Sequence, residues 1–354
     1  MEIAGAVEPR FGWRLAALYH FLGEPNRALA ICEQVTAVGN GGPASADEAL
    51  VLAWTAYSHW VRNEHPASRD LAARALRVAQ AAGDNSALAA AYSVMGLLNG
   101  IDTDAHHEAA VEAAALSRNT MHIIFAHTNY ARTLTLIIRG DVRAGLTQLD
   151  VAVTAAERSG DRNMVLFTHC HRGTAKLALG RLDEAAADFQ AARAGYQRGG
   201  PGTSARPLVG LGEVYREHGD LALAAAAYQE AADISAESGD QEMHGVALTG
   251  LAKVRLADDP EAAAVLAEQA VASSEGSERV RAQIAAGWVA LARGDRQRLS
   301  EAVAAATAGV GIGADRGGLA RLLNCCARLP SPTSPPSNFG CCTRPPTSGR
   351  PPAS

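Results

Sequence analysis

The sequence contains few aromatic residues and almost no lysine. Aromatic side chains make up 5% of its 354 residues, and lysine supplies only Lys176 and Lys253 among 32 basic residues. Because arginine stays protonated, base catalysis by a lysine has just these two candidates. The net charge of −5 argues against a strongly basic surface, so we expect no direct nucleic-acid binding by this chain.

Long apolar segments are also missing. No stretch approaches the about 18 uncharged apolar residues that a membrane helix would need. Glu2 and Glu8 lie where a secretory signal peptide would carry basic residues. We therefore expect a cytoplasmic protein that makes no contact with a membrane.

Alanine, by contrast, is abundant and accounts for 75 of the 354 residues. Alanine is the best helix former and a poor strand former, so its excess predicts an all-α fold. The same excess excludes large β-sandwiches and β-barrels. The class of protein is thus restricted before any motif is considered.

Proline and cysteine are concentrated at the C-terminal end. Eight of the 15 prolines and four of the six cysteines lie in the last 32 residues, which contain no acid. Such a segment cannot bury apolar surface, so we expect a folded region 1–322 and a disordered tail 323–354. The abrupt change near Leu323 also suggests that a frameshift produced the tail, a hypothesis that resequencing the gene would test.

The region before the tail repeats with a period of about 40 residues, and self-similarity of this kind indicates a repeat architecture. Candidate turn residues follow one another at spacings of 40, 36, 41, 40, 39, 39 and 36 residues. They are Gly23, Asn63, Asn99, Gly140, Gly180, Gly219, Asp258 and Gly294.

Each repeat predicts a hairpin of two helices. Glycine ends the first helix because it adopts the left-handed conformation without strain, and the aspartate that follows it caps the next helix. Small residues such as Gly212 and Ala224 let the two helices approach closely, while Phe189 or Tyr228 fills the space between successive hairpins. Hairpins that are apolar on two sides must stack, and stacking gives an α-solenoid.

The repeat resembles the tetratricopeptide repeat. The unit at 205–238 has Leu-Gly, Tyr, Gly-Asp, Ala, Tyr and Ala at the consensus positions, and the unit at 166–199 matches at most of them. The resemblance implies a right-handed α-solenoid of about eight antiparallel helix hairpins, a TPR-like superhelix. In this chain the repeat is longer than usual, and Ser-Gly-Asp replaces the terminal proline.

Long, alanine-rich repeats punctuated by Gly-Asp also resemble the helical sensor regions of bacterial transcriptional regulators. These are the MalT-like members of the LuxR family and the AfsR-like members of the SARP family, and the resemblance covers about residues 10–322. It implies a full-length relative with an ATPase domain and a DNA-binding domain, neither of which is visible in this sequence.

No arrangement of residues indicates an enzyme. Both lysines follow alanine, so the Gly-Lys-Ser/Thr of a phosphate-binding loop is absent. His107 begins a metalloprotease-like pattern, but Val111 occupies the position of the second ligand. His169 and His171 are two positions apart on a helix and point in different directions. We therefore expect no catalytic residue, no cofactor and no metal, and we expect the carboxylates to lie on solvated faces.

The remaining candidate site is a surface. In tetratricopeptide-like solenoids the first helix of each hairpin lines a concave groove, and the resemblance transfers these positions to three units. The candidate groove residues are His127, Tyr130, Leu134 and Ile137, then Phe167, Cys170, His171 and Thr174, then Arg206, Glu213 and Arg216. Such a groove would be apolar at one end and charged at the other, which suits a peptide or a partner helix. The alternative is an ordinary solvated face.

The sequence therefore predicts a non-catalytic TPR-like scaffold that binds a protein or peptide partner, or a small-molecule inducer. By resemblance it would be the sensor fragment of a bacterial transcriptional regulator. The alternative is a stand-alone adaptor protein unrelated to transcription. Neighbouring DNA that encodes an ATPase domain or a helix-turn-helix would favour the regulator.

Overall fold

The computed structural model describes residues 8–37, 45–98, 104–134, 141–198, 204–309 and 316–327. These residues form seventeen α-helices and include no β-strand. In chain order the helices are α1 (Pro9–Phe21), α2 (Pro25–Ala37), α3 (Ala46–Val61), α4 (His65–Ala82), α5 (Asn85–Leu98), α6 (Asp104–Ser117), α7 (Thr120–Arg132), α8 (Val142–Ser159), α9 (Arg162–Ala178), α10 (Leu182–Arg198), α11 (Arg206–His218), α12 (Leu221–Ser238), α13 (Gln241–Arg255), α14 (Pro260–Ser273), α15 (Gly276–Arg293), α16 (Arg296–Gly309) and α17 (Arg316–Ala327).

Consecutive helices pair into eight hairpins, from α1 and α2 in hairpin 1 to α15 and α16 in hairpin 8, and α17 follows. The predicted all-α solenoid of about eight hairpins is confirmed. Six predicted turns lie inside hairpins as expected, and they are Gly23, Asn63, Gly180, Gly219, Asp258 and Gly294. Asn99, Gly140 and the predicted tail from residue 328 lie outside the described residues, and the boundary at 323 stays a prediction.

The turns follow the expected chemistry with one exception. Gly83, Gly160 and Gly239 end helices in the left-handed conformation, with φ of 65°, 68° and 77°. The aspartate after glycine then accepts a hydrogen bond from the next helix, as Asp161 does from the amide of Asn163 at 2.9 Å. Asp220 follows the same pattern in sequence, but its side chain makes no such bond with α12, so the expectation of a cap there is wrong.

Aromatic side chains on the second helices pack against glycines on the first helices. Phe189 of α10 is completely buried between Gly173 of its own hairpin and Gly210 of the next, and a Cβ at either glycine would overlap its ring. Tyr228 of α12 is completely buried as well and packs against the glycines at the corresponding positions of α11 and α13. Glycine at these positions gives the ring its space, which confirms that these rings join successive hairpins.

The superhelix is tightly wound, and its successive turns touch. Gly23 in hairpin 1 packs against Ser204, which precedes hairpin 6. Asn63 in hairpin 2 donates a hydrogen bond to the carbonyl of Ser273 in hairpin 7 at 2.8 Å. Both contacts join hairpins that are five apart, so about five hairpins complete one turn. Among the described helices, none has the length and apolar character that a membrane span requires.

Aromatic side chains fill the inside of the first turn. Trp54, Tyr57 and Trp60 on α3 are 1%, 5% and 7% exposed. Phe21 of α1 meets Phe167 of α9 edge to face at 5.0 Å between ring centroids. The three aromatic residues of α3 therefore belong to the solenoid core, and they close the concave side of the first hairpins.

Candidate functional site

The candidate site is a cavity of about 420 Å³ on the concave side of hairpins 5 to 8. Its walls are the first helices of four successive hairpins (α9, α11, α13 and α15), and α17 closes one side. Each first helix points one face inward because its other faces pack against its own hairpin partner and the neighbouring hairpins. The volume lies within the range of small-molecule and peptide anchor sites, which is roughly 300 to 1,000 Å³.

Five of the candidate groove residues line this cavity together. They are His171, Thr174, Arg206, Glu213 and Arg216. They come from α9 and α11, two of the three first helices that the sequence singled out. The structure thus brings the second and third predicted units to one cavity.

The remaining candidates lie elsewhere. His127 shares a hydrogen bond with Gln148 of α8 at 2.6 Å, and the ring of Tyr130 stacks on His107 of α6 at 5.1 Å. Leu134, Phe167 and Cys170 are buried. Ile137 lies outside the described residues. Phe167 is buried because the superhelix brings hairpin 1 onto it, where α1 covers the inward face of α9.

Sequence reasoning missed the part of the wall that comes from hairpins 7 and 8. Val246, Thr249 and Lys253 line the cavity from α13, and Arg281 and Trp288 line it from α15. Their helical spacing of three, four or seven residues continues the inward face of the earlier helices. The predicted groove positions end at α11. The same positions one and two repeats later fall on the inward faces of α13 and α15.

Ion pairs border the cavity. Arg216 bonds to Glu213 at 2.7 Å, and Arg281 bonds to Glu278 at 2.9 Å. Burial alone would raise the pKa of Glu213, but the nearby charges of Arg216 and Lys253 outweigh it and lower the pKa to about 2. These paired charges hold one another in place around an apolar centre that includes Val246, and they leave the half-buried ring of Trp288 facing it.

A buried cluster of four charges adjoins the cavity. Arg132 at the end of α7 forms an ion pair with Glu242 of α13, and Arg206 of α11 lies 3.6 Å from the other oxygen of Glu242. Asp240, one residue before α13, is 7% exposed and completes the cluster. The expectation that carboxylates lie on solvated faces is therefore wrong here, because the curvature of the superhelix brings Glu242 of hairpin 7 to Arg132 of hairpin 4.

The cluster shifts the pKa values of its members. Burial and the charge of Glu242 raise the pKa of Asp240 to about 6, although Arg206 opposes them. Burial would raise the pKa of Glu242 too, but Arg132 and Arg206 overcome it and the pKa falls. Burial, with Arg206 and Arg132 close by, lowers the pKa of His171 well below its ordinary value, so this imidazole is neutral.

The described residues contain no group of three or more histidines, cysteines or acids that could hold a metal ion. His169 and His171, which are two positions apart in the sequence, have separate surroundings. Nδ1 of His169 lies 3.1 Å from Asp188, whereas His171 packs edge-on against Phe167 at 4.6 Å. The cavity has an apolar centre and a charged border.

Comparison with known proteins gives the class of fold. No protein-family model matches the chain, and no curated protein matches it in sequence. Among solved structures, the Cut9-Hcn1 hetero-tetramer of the APC/C matches with a TM-score of 0.60 and 15% identity, over 87% of this chain and 54% of that one. This likeness shows that the chain has the fold of a tetratricopeptide-like α-solenoid.

Two further solved structures are tetratricopeptide-repeat proteins. A STAND signal-transduction ATPase with a tetratricopeptide-repeat sensor, from Pyrococcus horikoshii, matches with a TM-score of 0.45 and 14% identity over 80% of this chain. A tetratricopeptide-repeat protein from Parabacteroides merdae matches with a TM-score of 0.47 and 14% identity, over 77% of this chain and 96% of that one. This chain spans only 43% of the length of the STAND ATPase.

Proposed function

We propose that this chain is a non-catalytic binding module that holds a peptide segment of a partner protein in the cavity of hairpins 5 to 8. The observation that carries the proposal is the difference between the two halves of the concave surface. Aromatic side chains of the first turn fill the surface near Phe21 and Phe167, whereas the surface between α9 and α17 stays open. An open, partly apolar groove with fixed charges at its border suits a peptide that inserts an apolar side chain.

The contacts follow from the lining. Trp288 and Val246 would pack against the apolar side chain of the peptide. Thr174, Glu213 and Arg216 would bind polar groups on either side of it. These three residues are the candidates that the sequence named, and their role in binding is part of the proposal.

The test is a selection of peptides from a displayed random library on the full chain, followed by affinity measurement with labelled peptides. Val246→Trp places an indole in the cavity, and Val265→Trp is its matched control, because Val265 lies on the second helix of the same hairpin and is 59% exposed. We expect Val246→Trp to raise Kd by about tenfold or more, as for a central interface residue, and Val265→Trp to leave Kd unchanged. Absence of enriched peptides, or equal binding by both variants, would refute the proposal.

We further propose that the module is the sensor part of a larger bacterial transcriptional regulator, with a stand-alone adaptor as the alternative. The support is the resemblance of its alanine-rich, Gly-Asp-punctuated repeats to such sensor regions. An upstream reading frame for an ATPase domain, or a helix-turn-helix in the shifted downstream frame, would support the regulator. Intact neighbouring genes without either would leave the adaptor.

A small-molecule inducer is a second candidate occupant, favoured by the cavity volume of about 420 Å³. A small molecule that occupies the cavity would displace the selected peptide from the unmodified chain. Screening a library of metabolites by displacement therefore distinguishes the two occupants. If no compound displaces the peptide, the peptide remains the supported occupant of the cavity.

A further inference from the structure

The buried charge cluster lies where the first superhelical turn meets the second. We call Arg132, Arg206, Asp240 and Glu242 the clasp. Arg132 belongs to hairpin 4 and Glu242 to hairpin 7, so their ion pair joins residues 110 positions apart. Their side chains are 4% and 6% exposed, and the guanidinium of Arg132 also lies 4.3 Å from the ring centroid of Trp60 on α3.

The clasp is only partly satisfied by hydrogen bonds. Within the described part of the chain, Nε and one terminal nitrogen of Arg132 have no hydrogen-bond partner, and neither does Oε2 of Glu242. The guanidinium of Arg206 is 3.6 Å from that oxygen, which is too long for a hydrogen bond. Buried polar atoms without hydrogen-bond partners oppose closure, since water would satisfy them if the two turns separated.

Other contacts between the turns favour closure. They include the hydrogen bond from Asn63 to Ser273, at 2.8 Å, and the hydrogen bond from the hydroxyl of Tyr196 to the carbonyl of Phe21, at 3.1 Å. The joint between the turns therefore balances packing and hydrogen bonds against the hydration of the clasp. Packed interfaces can switch between two discrete arrangements.

The clasp and the cavity share two residues. Arg206 and Glu242 line the cavity, and both are oriented by their partners in the clasp. Arg132 does not line the cavity, yet it holds Glu242 from the side of the first turn. Separation of the turns would therefore release two side chains of the cavity wall.

We propose that the clasp opens and closes the contact between the two superhelical turns, and that the closed state is the one that binds ligand in the cavity. The second half of this statement rests on the proposed function. Binding and closure are then thermodynamically linked, so each favours the other by the same factor.

The experiment uses the full chain with Arg132→Met, which keeps an apolar stem of similar length against Trp60 and removes the charge. Its matched control is Arg293→Met, which also removes an arginine–glutamate ion pair, with Glu261 at 2.7 Å, but from an exposed position. Hydrogen exchange is followed at residues 61–64 and 271–275, which adjoin the bond from Asn63 to Ser273 and lie outside the clasp and the cavity wall. Exchange within α12, the second helix of hairpin 6, reports whether the hairpin itself unfolds.

Arg132→Met leaves Glu242 buried without its closer ion-pair partner, which opposes closure more strongly than the intact pair does. We therefore expect it to accelerate exchange about tenfold at residues 61–64 and 271–275, to enlarge the radius of gyration and to leave α12 unchanged. We also expect it to raise the Kd of the selected peptide by about fivefold or more, the lower end of usual allosteric couplings. Conversely, the peptide should slow exchange at both segments in the unmodified chain. Arg293→Met should change none of these quantities.

Faster exchange throughout the chain, α12 included, would overturn the clasp. Unchanged exchange at the two segments between the turns would overturn it as well. Faster exchange with an unchanged peptide Kd would overturn the link to the cavity and leave the proposed function intact. If no peptide binds the cavity, the proposed function fails, and exchange between the turns alone decides the clasp. If Arg132→Met does not fold, exchange of the unmodified chain in low urea replaces it. The clasp then requires the amides between the turns to exchange at urea concentrations below those of global unfolding. If they exchange only when the whole chain unfolds, the clasp is refuted.

Discussion

Replacing Asp240 by asparagine tests the electrostatics of the buried cluster most directly. Asp240 accepts a hydrogen bond from the amide of Met243 at 3.0 Å and so caps α13. Asparagine caps a helix about as well as aspartate, so the cap survives the change. Only the charge is removed, and with it the repulsion between Asp240 and Glu242.

The magnitude follows from the pKa of Asp240. Burial and Glu242 raise this pKa from 3.8 to about 6 in the folded chain. Because the folded state then holds the proton more tightly than the unfolded state, the stabilisation is fully present below pH 3.8 and is lost as the pH rises through about 6. The difference of about 2 pKa units corresponds to about 3 kcal/mol at neutral pH.

We therefore expect Asp240→Asn to be more stable than the unmodified chain at pH 7, by up to about 3 kcal/mol. The gain should shrink as the pH falls from 6 towards 4, because the unmodified Asp240 becomes protonated in that window. Urea unfolding followed by circular dichroism at several pH values between 4 and 7 measures both quantities.

The control is Asp259→Asn at the start of α14. Asp259 caps its helix in the same way, by accepting a hydrogen bond from Ala262 at 3.0 Å, but it is exposed. We expect this variant to change the free energy of unfolding by only a few tenths of a kcal/mol at any of these pH values. The reasoning is refuted if Asp240→Asn is less stable than the unmodified chain at pH 7. It is also refuted if the two proteins show the same pH dependence.

Three further tests concern packing and capping, and the first two use urea unfolding whereas the third uses hydrogen exchange. Gly210→Ala should lower the free energy of unfolding by about 1 to 3 kcal/mol because its Cβ would overlap the ring of Phe189. The double variant Gly210→Ala, Phe189→Leu should lose less stability than the sum of the two single changes. An additive result would contradict this contact. Asp259→Ala should cost about 1 kcal/mol and Asp220→Ala clearly less, since only Asp259 caps with its side chain; equal costs would refute the distinction. Leu322→Ala should release α17, because Leu322 is completely buried, and exchange in α17 that stays as slow as before would argue against its packing.

The hairpins could be predicted because their signals are local. Gly219 ends α11 with a φ of 87°, and glycine is the residue that adopts this conformation at little cost. Gly210 and Phe189 lie in adjacent hairpins, and the repeat places the same small and large residues at each interface. A period of about 40 residues therefore identified the solenoid and the six turns named above, and the resemblance to the tetratricopeptide repeat pointed to the inward-facing helices.

The candidate site could be predicted only in part. His171, Arg206 and Arg216 lie on helix faces that the repeat directs inward, and the structure places them together in the cavity. Phe167 lies on the same kind of face, but α1 covers it. No pattern within one repeat distinguishes a face that stays open from one that another turn of the superhelix covers.

The amino-acid sequence by itself determined which segments form helices, how they pair and which side chains pack between neighbouring hairpins. These properties depend on contacts within one repeat or between adjacent repeats. The tertiary structure alone decided that Arg132 meets Glu242, that hairpin 1 covers part of the groove and that the cavity lies in hairpins 5 to 8. The physical reason is that the pitch of a solenoid sums a small rotation at every interface, so contacts between hairpins three or more apart depend on all the interfaces between them.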